Sequence, residues 1–496
     1  MPMIMMSRWV AIVLAGASLI AADEPSGQDE LAGWWRATVS HAGESDDIYL
    51  HFQTRGSKQF VSFSIPSVAT DDQPLSLYSV SPGEVNLKSA GWILKRGADG
   101  SLRGTLPRGL VPAHDFPAVF RRSAEPRLLS PAQPTQPAPK PLWSQSLGAP
   151  VFGGIAYDPV TKAILVGTTA GELTALDPLT GKRRWSTRLS APIRSAPVIA
   201  GGAILVATDE AAAKLDKRTG RLLWTVPIGK PLKPAIALTD LSNAESRWDE
   251  YSAAPVVRAG LVYVGSRDGC VHALSQGNGS KVRDYCNDDE ITGSPVIERD
   301  RIYYPSFDGK VYAARLSDGK ILWKRDTLGA VPRDLTLSGN NLLASSRSYD
   351  LVALDKRNGA LAWQRHVWWS WVDSVAEPHP RDILIGSSDA QRIYDLGAAT
   401  GRPIWATFVG GWAWPKPTRA GNTVYAGVIG TAQPYVGKRR GGLAALDART
   451  GRLKWLFQTP HADKVAAYGF AAAPLVVGGR LYAADLNGSV FAFRAE

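Results

Sequence analysis

Short runs that alternate hydrophobic and polar residues make up much of this chain after residue 25. Examples near the N-terminus are Ile48–Phe52, Phe60–Ile65 and Val85–Lys88, separated by turns rich in Gly or Pro. A side-chain period of two is typical of a β-strand with one buried face. No stretch longer than two helical turns keeps hydrophobic residues at the helical spacing. The pattern therefore predicts an all-β protein made of many short strands.

A repeated unit occupies the larger, C-terminal part of the chain. Its core is a strand ending in Ala-Leu-Asp, a turn ending in Thr-Gly, and a strand with Trp four residues after the Gly. The clearest copies are Ala175–Trp185 and Ala445–Trp455. The Asp can accept backbone N–H bonds across the turn, the Gly supplies a positive φ, and the Trp fills the gap between two twisted sheets. The positions equivalent to this Trp are 185, 224, 283, 323, 363, 405 and 455, with Arg at 283.

The spacing of the repeats predicts how the ring closes. A second hairpin precedes each unit, so one unit has four strands, the size of a propeller blade. The last unit, Pro474–Phe493, stops before any Trp-bearing strand, and an isolated strand of that kind, Pro141–Gln145, lies upstream. Its Trp143 precedes Trp185 by 42 residues, which is the repeat period. The N-terminal strand is therefore expected to complete the last blade of an eight-bladed β-propeller and leave no open edge.

The Ala-Leu-Asp-x-x-Thr-Gly-x-x-x-Trp pattern resembles the repeat of pyrroloquinoline-quinone (PQQ) dehydrogenases and of their non-enzymatic relatives, which have WD-like blades. Among these relatives, size and closure are most similar to the outer-membrane-protein assembly lipoprotein. The resemblance covers about residues 141–496. It implies the propeller fold, but the motif residues hold blades together in every branch and so do not identify a function.

The segments ahead of the repeats have different compositions. Residues 1–22 are expected to be a signal peptide, because Arg8 precedes the short apolar run Trp9–Ile20 and the small residues Ala21 and Ala22. Residues 31–122 are expected to form a small antiparallel β-barrel or meander, and 123–140 a Pro-rich linker before the propeller at 141–496. The apolar run is too short to span a bilayer, and we find no other transmembrane segment. We therefore expect a periplasmic or secreted, monomeric protein.

Two cysteines and the net charge bear on the compartment and on partners. Folding the hairpin about Asn278 places Cys270 directly opposite Cys286, within reach of a structural disulfide. Two buried free thiols are the alternative. The net charge of +11 suits an anionic partner, or it reflects Lys and Arg scattered over blade turns. Basic residues do not alternate with aromatics along one face, so we expect no nucleic-acid binding.

The sequence offers no recognisable catalytic set. PQQ enzymes typically carry a disulfide between adjacent cysteines, which this chain lacks, and it has no Gly-x-Ser-x-Gly or His-Glu-x-x-His motif. The seven His are scattered, at positions 41, 51, 114, 272, 366, 379 and 461, without metal-ligand spacing. We therefore predict no catalytic residue, no metal site and no cofactor, with PQQ and Ca²⁺ as the alternative.

Two groups of residues are candidates for binding. Segments entering the innermost strands should line the mouth of the central channel, where aromatic and charged groups could hold a planar anion, a sugar or a peptide. These candidates are Arg194, Arg333, Trp371, Asp373, Trp414 and Lys416. The alternative is that the Trp residues only pack loops between blades. Loops longer than a blade needs are interaction candidates, through Trp248, Tyr251, Lys438, Arg439 and Arg440.

An intact structural repeat without a catalytic set favours a non-catalytic scaffold. The leading hypothesis is an exported propeller that binds protein or envelope-polymer partners through the loops of one face. A PQQ-dependent dehydrogenase with a modified site, or a glycan-binding protein, are the alternatives.

Overall fold

The computed structural model describes residues 29–55, 58–75, 78–87, 91–106, 115–232, 251–379, 381–431, 439–460 and 467–496. The expected signal peptide lies outside the described residues. Among those residues, no helix is long and apolar enough to cross a membrane.

The N-terminal domain is one curled antiparallel sheet of nine strands with short 3₁₀ turns at Asp29–Leu31 and Pro66–Val68. In chain order the strands are β1 (Gly33–His41), β2 (Glu44–Arg55), β3 (Lys58–Ile65), β4 (Thr70–Leu75), β5 (Tyr78–Ser81), β6 (Glu84–Leu87), β7 (Trp92–Arg96), β8 (Leu102–Thr105) and β9 (Pro117–Ser123). Their order across the sheet is β4-β3-β2-β1-β9-β8-β7-β6-β5. Alternate residues such as Trp35, Ala37 and Val39 on β1 are buried, as the period of two predicts.

The described residues from 143 onward form eight blades of four antiparallel strands, named a to d in spatial order from the channel outward. Blade 1 comprises Ala156–Asp158, Ala163–Gly167, Glu172–Leu176 and Arg183–Arg188; blade 2 Val198–Ala200, Ala203–Ala207, Ala211–Asp216 and Leu222–Pro227; blade 3 Val256–Arg258, Leu261–Gly265, Cys270–Ser275 and Lys281–Cys286; blade 4 Val296–Glu298, Arg301–Pro305, Lys310–Arg315 and Ile321–Asp326.

The other half of the ring repeats this plan. Blade 5 comprises Thr336–Ser338, Asn341–Ser345, Asp350–Asp355 and Leu361–His366; blade 6 Val372–His379, Asp382–Ser387, Arg392–Gly397 and Pro403–Phe408; blade 7 Thr418–Ala420, Thr423–Thr431, Gly442–Asp447 and Leu453–Phe457; blade 8 Leu475–Val477, Arg480–Ala484, Ser489–Arg494 and Trp143–Ser146. An extra strand, Ala467–Gly469, pairs with strand b of blade 7.

The repeated Trp joins each blade to the next. The ring of Trp363 in blade 5 lies against Gly401 in the turn of blade 6, so close that a Cβ there would be 2.6 Å from the ring. Gly401 has a φ of +65°, so the turn needs glycine both for its conformation and for this contact. The Trp363 Nε1 donates to the Ala398 carbonyl in the same turn, at 3.1 Å. The sequence motif is therefore an interblade contact, and it repeats at Trp143, Trp185, Trp323 and Trp405.

Ring closure agrees with the prediction. Trp143–Ser146 pairs antiparallel with Ser489–Arg494 in the register Trp143↔Ala492. Trp143 then contacts blade 1, where its Nε1 donates to the Pro178 carbonyl at 3.1 Å. The predicted fold class, an eight-bladed propeller closed by its N-terminal strand, is confirmed.

Blade 3 departs from the motif because Arg283 occupies the expected Trp position. Tyr285, two residues further along the same face of the strand, contacts the next blade instead, which the sequence analysis did not predict. The Tyr285 hydroxyl donates to the Leu316 carbonyl of blade 4 at 2.7 Å. The same hairpin contains the predicted disulfide, in which Cys270 and Cys286 are directly paired across strands c and d. The disulfide prediction is confirmed.

Candidate binding face of the propeller

One end of the channel collects the segments that the sequence analysis singled out. We call it the channel-mouth face; it consists of the loops from strand d of one blade to strand a of the next, and of the b–c loops. Arg194, Arg333, Trp371, Trp414 and Lys416 all lie in segments that enter a strand a. Asp373 lies in strand a of blade 6, but its side chain is outside the described set. Trp248 and Lys438 also fall outside the described residues.

The charged residues of this face pair with partners that the sequence analysis missed. Arg194 Nε lies 2.9 Å from Asp209 Oδ2, and Lys416 Nζ lies 2.5 Å from Asp334 Oδ2. Burial alone would raise the pKa of the Asp334 carboxyl, but the Lys416 ammonium holds it below its ordinary value. The first pair joins two loops of blade 2, and the second joins the segments that enter blades 5 and 7. These ion pairs therefore help to fix the loops around the channel.

A third pair lies deeper. Arg267 in the b–c loop of blade 3 is bonded to Glu290 at 3.2 Å, and both side chains are almost fully buried. The Arg267 Nη2 also donates to the Tyr251 carbonyl at 2.9 Å. A buried ion pair requires such additional hydrogen bonds because desolvation of the two charges is costly. The cavity beside Arg267, lined also by Asp209 and Ser252, has a volume of about 10 Å³, enough for a single water.

Tyr251 lies over the middle of the channel. The Arg333 guanidinium is 3.5 Å from the centre of its ring, Phe152 packs edge-on at 5.9 Å, and its hydroxyl donates to the Ala471 carbonyl at 2.7 Å. These three partners enter blades 5, 1 and 8, whereas Tyr251 enters blade 3. A side chain that reaches such widely separated blades must cross the channel axis. The structure thus brings Tyr251 and Arg333 together, although the sequence analysis assigned them to different groups.

The Trp residues of the face are covered by the protein itself. Trp414 is buried and stacks on Trp412 at 5.0 Å, and Trp412 donates to Asp389 at 3.2 Å. The Arg439 guanidinium lies over Trp412 at 5.3 Å and pairs with Asp389 at 3.3 Å. Half-buried Trp371 lies under the Arg347 guanidinium at 4.3 Å.

Arg439 and Arg440 were named as loop candidates for interaction with a partner. Arg439 is buried in the pair with Asp389, and Arg440 donates to the Ala132 carbonyl of the proline-rich linker at 2.5 Å. Both guanidiniums hold the chain's own segments together. The described part of the loop therefore contributes anchoring contacts.

The aromatic segment Val367–Trp371, which includes the candidate Trp371, contacts the N-terminal domain. Trp369 Nε1 donates to Asp46 Oδ2 in β2 at 2.6 Å, and Phe116, which precedes β9, packs edge-on against Trp368 at 5.0 Å. The N-terminal domain therefore docks on the channel-mouth face at blades 5 and 6.

A larger cleft lies on the N-terminal domain. Its volume is about 720 Å³, and Arg96, Arg121 and Arg122 line it together with Glu30 and Asp99. The cations are engaged: Arg96 pairs with Glu30 at 3.1 Å and Arg121 with Asp99 at 3.0 Å. Three hydrogen bonds from Ser101 and Arg103 and one from Arg121 hold the pKa of Asp99 well below its ordinary value. The cleft is thus a balanced, solvent-open groove without a strong excess of charge.

The cavity beside Arg267 is far too small for a planar cofactor such as PQQ, because its volume is only about 10 Å³. The two cysteines are paired across strands and lie 16 residues apart in sequence, so they do not form a disulfide between adjacent residues.

Comparisons with known proteins agree with the architecture. The family model described as outer membrane protein assembly factor BamB matches residues 136–365 and 365–496. A search of curated protein sequences found no significant match.

A search of solved structures found matches that include the following three. The structure of BamB from Moraxella catarrhalis is 18% identical, covers 69% of this chain and 85% of its own, and has a TM-score of 0.47. The computationally designed Ika8 protein is 14% identical, with 71% and 98% coverage and a TM-score of 0.53. Quinohemoprotein alcohol dehydrogenase from Comamonas testosteroni is 14% identical, with 72% and 76% coverage and a TM-score of 0.52. At these identities the likeness concerns the fold alone.

Proposed function

Because this chain belongs to the family of the outer membrane protein assembly factor BamB, we propose that it is a non-catalytic, exported propeller scaffold that binds a protein partner on its channel-mouth face. The observation that carries the proposal is the set of contacts of Tyr251 with Arg333, Phe152 and Ala471, which join segments entering blades 3, 5, 1 and 8. Because these segments are held together by the protein's own side chains, we infer that the loops of the face supply the accessible binding groups.

The chemistry of the mouth supports binding rather than catalysis. Arg194, Arg267 and Lys416 each form an ion pair with a carboxylate of the same face. A general acid or base needs a group within reach of a substrate and with a pKa near the working pH. These paired groups instead stabilise the described parts of the loops.

The described ends of two long insertions lie on this face, at blades 3 and 7. Residues 233–250 lead into blade 3, and residues 432–438 connect strands b and c of blade 7. Their described ends are tied down, because Leu232 N donates to the Arg267 carbonyl at 2.8 Å and Thr431 is bridged to Arg439. Trp248 and Lys438 lie within these insertions and remain our candidates for contact with the partner.

Export is part of the proposal. The disulfide between Cys270 and Cys286 favours an oxidising compartment such as the periplasm. The N-terminal pattern from Arg8 through Ala22 supports secretion by a cleaved signal.

Site-specific photo-crosslinking in cells tests the partner-binding face. A photo-reactive amino acid is placed at Trp248 or Tyr435 in the two insertions, and as a matched control at Leu179, which is exposed in a c–d turn at the opposite end of the propeller. We expect a discrete adduct with an envelope protein from the first two positions and none from Leu179. Adducts that are absent, equally strong at Leu179, or formed only with polysaccharide would contradict a protein partner on this face.

Addition of PQQ and Ca²⁺ to the purified protein separates the proposal from the dehydrogenase alternative. We expect no change in quinone absorbance and no dye reduction with alcohol substrates. A saturable absorbance change together with substrate-dependent dye reduction would overturn the non-catalytic assignment.

A further inference from the structure

Two histidines and one aspartate meet where the N-terminal domain contacts the propeller. His41 ends β1, Asp350 begins strand c of blade 5, and His366 ends strand d of the same blade. One ligand atom from each residue lies within 4.8 Å of the other two. His366 Nδ1 is 2.9 Å from Asp350 Oδ1, and the rings of His41 and His366 are 4.9 Å apart and nearly perpendicular.

The backbone places the two propeller residues together. Asp350 and His366 are direct partners in the antiparallel pairing of strands c and d, so their side chains extend from the same point of the sheet. The end of this pairing is also the edge of the channel-mouth face, where the N-terminal domain docks. The carboxylate and the imidazole are therefore held in position before any ion binds.

His41 is brought to them by the β1–β2 hairpin. Beyond the turn at Ala42 and Gly43, Glu44 pairs with Arg365 of the propeller at 2.6 Å. Two residues further on, Asp46 accepts the hydrogen bond of Trp369. These two contacts hold the hairpin tip against strand d of blade 5, so His41 reaches the cluster from the other domain.

The surroundings are dry and aromatic. The side chains of His366 and Asp350 are 0% and 3% exposed. Phe116 lies edge-on to His41 at 5.4 Å, and Trp368 lies edge-on to His366 at 4.5 Å. A carboxylate in such a site is costly unless a cation or strong hydrogen-bond donors compensate its charge. The Ser348 hydroxyl donates to Asp350 Oδ2 at 3.0 Å, and a dicationic metal would add a much stronger compensation.

We propose that His41, Asp350 and His366 bind a Zn²⁺ ion that clamps the N-terminal domain onto the propeller. Two imidazoles and a carboxylate are typical zinc ligands, whereas Ca²⁺ and Mg²⁺ prefer oxygen ligands only. Zinc bonds of about 2.0–2.1 Å place tetrahedral ligand atoms closer than the present 4.8 Å spread, so small side-chain rotations close the site around the ion.

The other buried histidine of the described residues provides a contrast. In blade 3, His272 is bonded to Asp284 through Nδ1 at 2.7 Å and to Asp268 through Nε2 at 3.0 Å. Both ring nitrogens serve carboxylates on opposite sides, so the three groups do not converge on one point. The cluster at His41 differs because its three residues converge.

Isothermal titration of the chelator-treated, full-length mature protein with ZnSO₄ tests the site. We expect one Zn²⁺ per chain and binding at least about ten-fold weaker in the His41→Ala and His41→Gln variants. His51→Gln is the matched control, since it removes an imidazole of the same domain that stacks on Trp34 and lies outside the cluster. Thermal unfolding in EDTA checks that each variant is folded as well as the parent.

Two further readouts make the outcome decisive. Co²⁺ in place of Zn²⁺ should give visible absorption bands in the parent and in His51→Gln, and these should disappear in Asp350→Asn. Zn²⁺ should also slow proteolytic cleavage of the linker between the domains in the parent but not in His41→Ala. Absence of stoichiometric binding, or equal binding and equal spectra in the His41 and Asp350 variants, would overturn the proposal.

Discussion

At the residue scale, His272 shows how burial and charge compete in this fold. Burial of the ring opposes its positive charge, but the hydrogen bonds that its two N–H groups donate to the Asp268 and Asp284 carboxylates outweigh this effect and raise the pKa of His272 above its ordinary value. The ring also contacts the Ile228 carbonyl, which ties blade 2 to blade 3 at 2.8 Å. The His272 imidazole is thus part of the contact between two blades.

The sign of this shift predicts a pH dependence. A raised folded-state pKa contributes stability that is fully present below the unfolded value of 6.5 and is lost as the pH rises through the folded pKa. Urea unfolding between pH 6 and pH 9 should show the parent losing about 1–2 kcal/mol relative to His272→Gln as the pH rises. A difference between the two proteins that stays constant over this range would show that His272 is neutral in the folded state.

At the scale of elements, the strand Trp143–Ser146 connects the two ends of the propeller. It pairs with the last strand of the chain, and the Trp143 ring packs on Gly181 of blade 1. Blade 8 takes its strands a to c from the C-terminal end of the chain. The residues Trp143–Ser146 supply its strand d and the contact with blade 1. Stability of the ring therefore depends on them more than their number suggests.

Replacing Trp143 by Ala should lower the free energy of unfolding by about 2–4 kcal/mol, because it removes an aromatic ring from an interblade contact. The adjacent Leu142, 48% exposed, is the control, and its replacement by Ala should change stability by less than about 0.5 kcal/mol. Chemical unfolding followed by tryptophan fluorescence measures both. Equal effects of the two substitutions would mean that the closing strand contributes little to the ring.

At the scale of the whole molecule, the N-terminal domain and blades 5 and 6 share one hydrophobic cluster. It runs from Trp35 and Phe116 to Trp368 and Leu396. The propeller also donates hydrogen bonds to the 3₁₀ turn of the N-terminal domain, from Arg392 to the Ser67 carbonyl and from Gln391 to the Val68 carbonyl, at 2.6 and 2.9 Å. Shared hydrophobic burial and directed polar contacts together favour a fixed arrangement of the domains over independent motion.

A double-mutant cycle on Asp46 and Trp369 should measure this coupling. Burial raises the pKa of Asp46, and the Ser67 hydroxyl and the Trp369 Nε1 donate hydrogen bonds to its carboxyl. We expect Asp46→Ala and Trp369→Phe to show a coupling energy of about 1–2 kcal/mol in the free energy of unfolding, with calorimetry resolving two transitions in the double variant. Asp47→Ala, which removes a pair with Arg36 within the N-terminal domain, serves as the control. Additive effects of Asp46→Ala and Trp369→Phe would show that the contact is not coupled.

The sequence by itself determined the repeat and its consequences. Eight blades and their closure follow from the strand period, from the Asp and Gly of each turn, and from the spacing between Trp143 and Trp185. These features act through the local backbone conformation and through contacts that recur once in each repeat. The opposed positions of Cys270 and Cys286 followed from a single hairpin register. Blade 3 was the exception, because Tyr285, two residues after the motif position, makes the interblade contact that Trp makes in other blades.

Only the tertiary structure decided which distant groups meet. Nothing in the local pattern relates Asp209 to Arg194, Tyr251 to Arg333, or the loop Val367–Trp371 to an N-terminal domain more than 200 residues away. The cluster of His41, Asp350 and His366 is the clearest case, because its residues have no common spacing. Such contacts depend on how two separately patterned surfaces dock, and the free energy of docking is distributed over many side chains rather than encoded in any one segment.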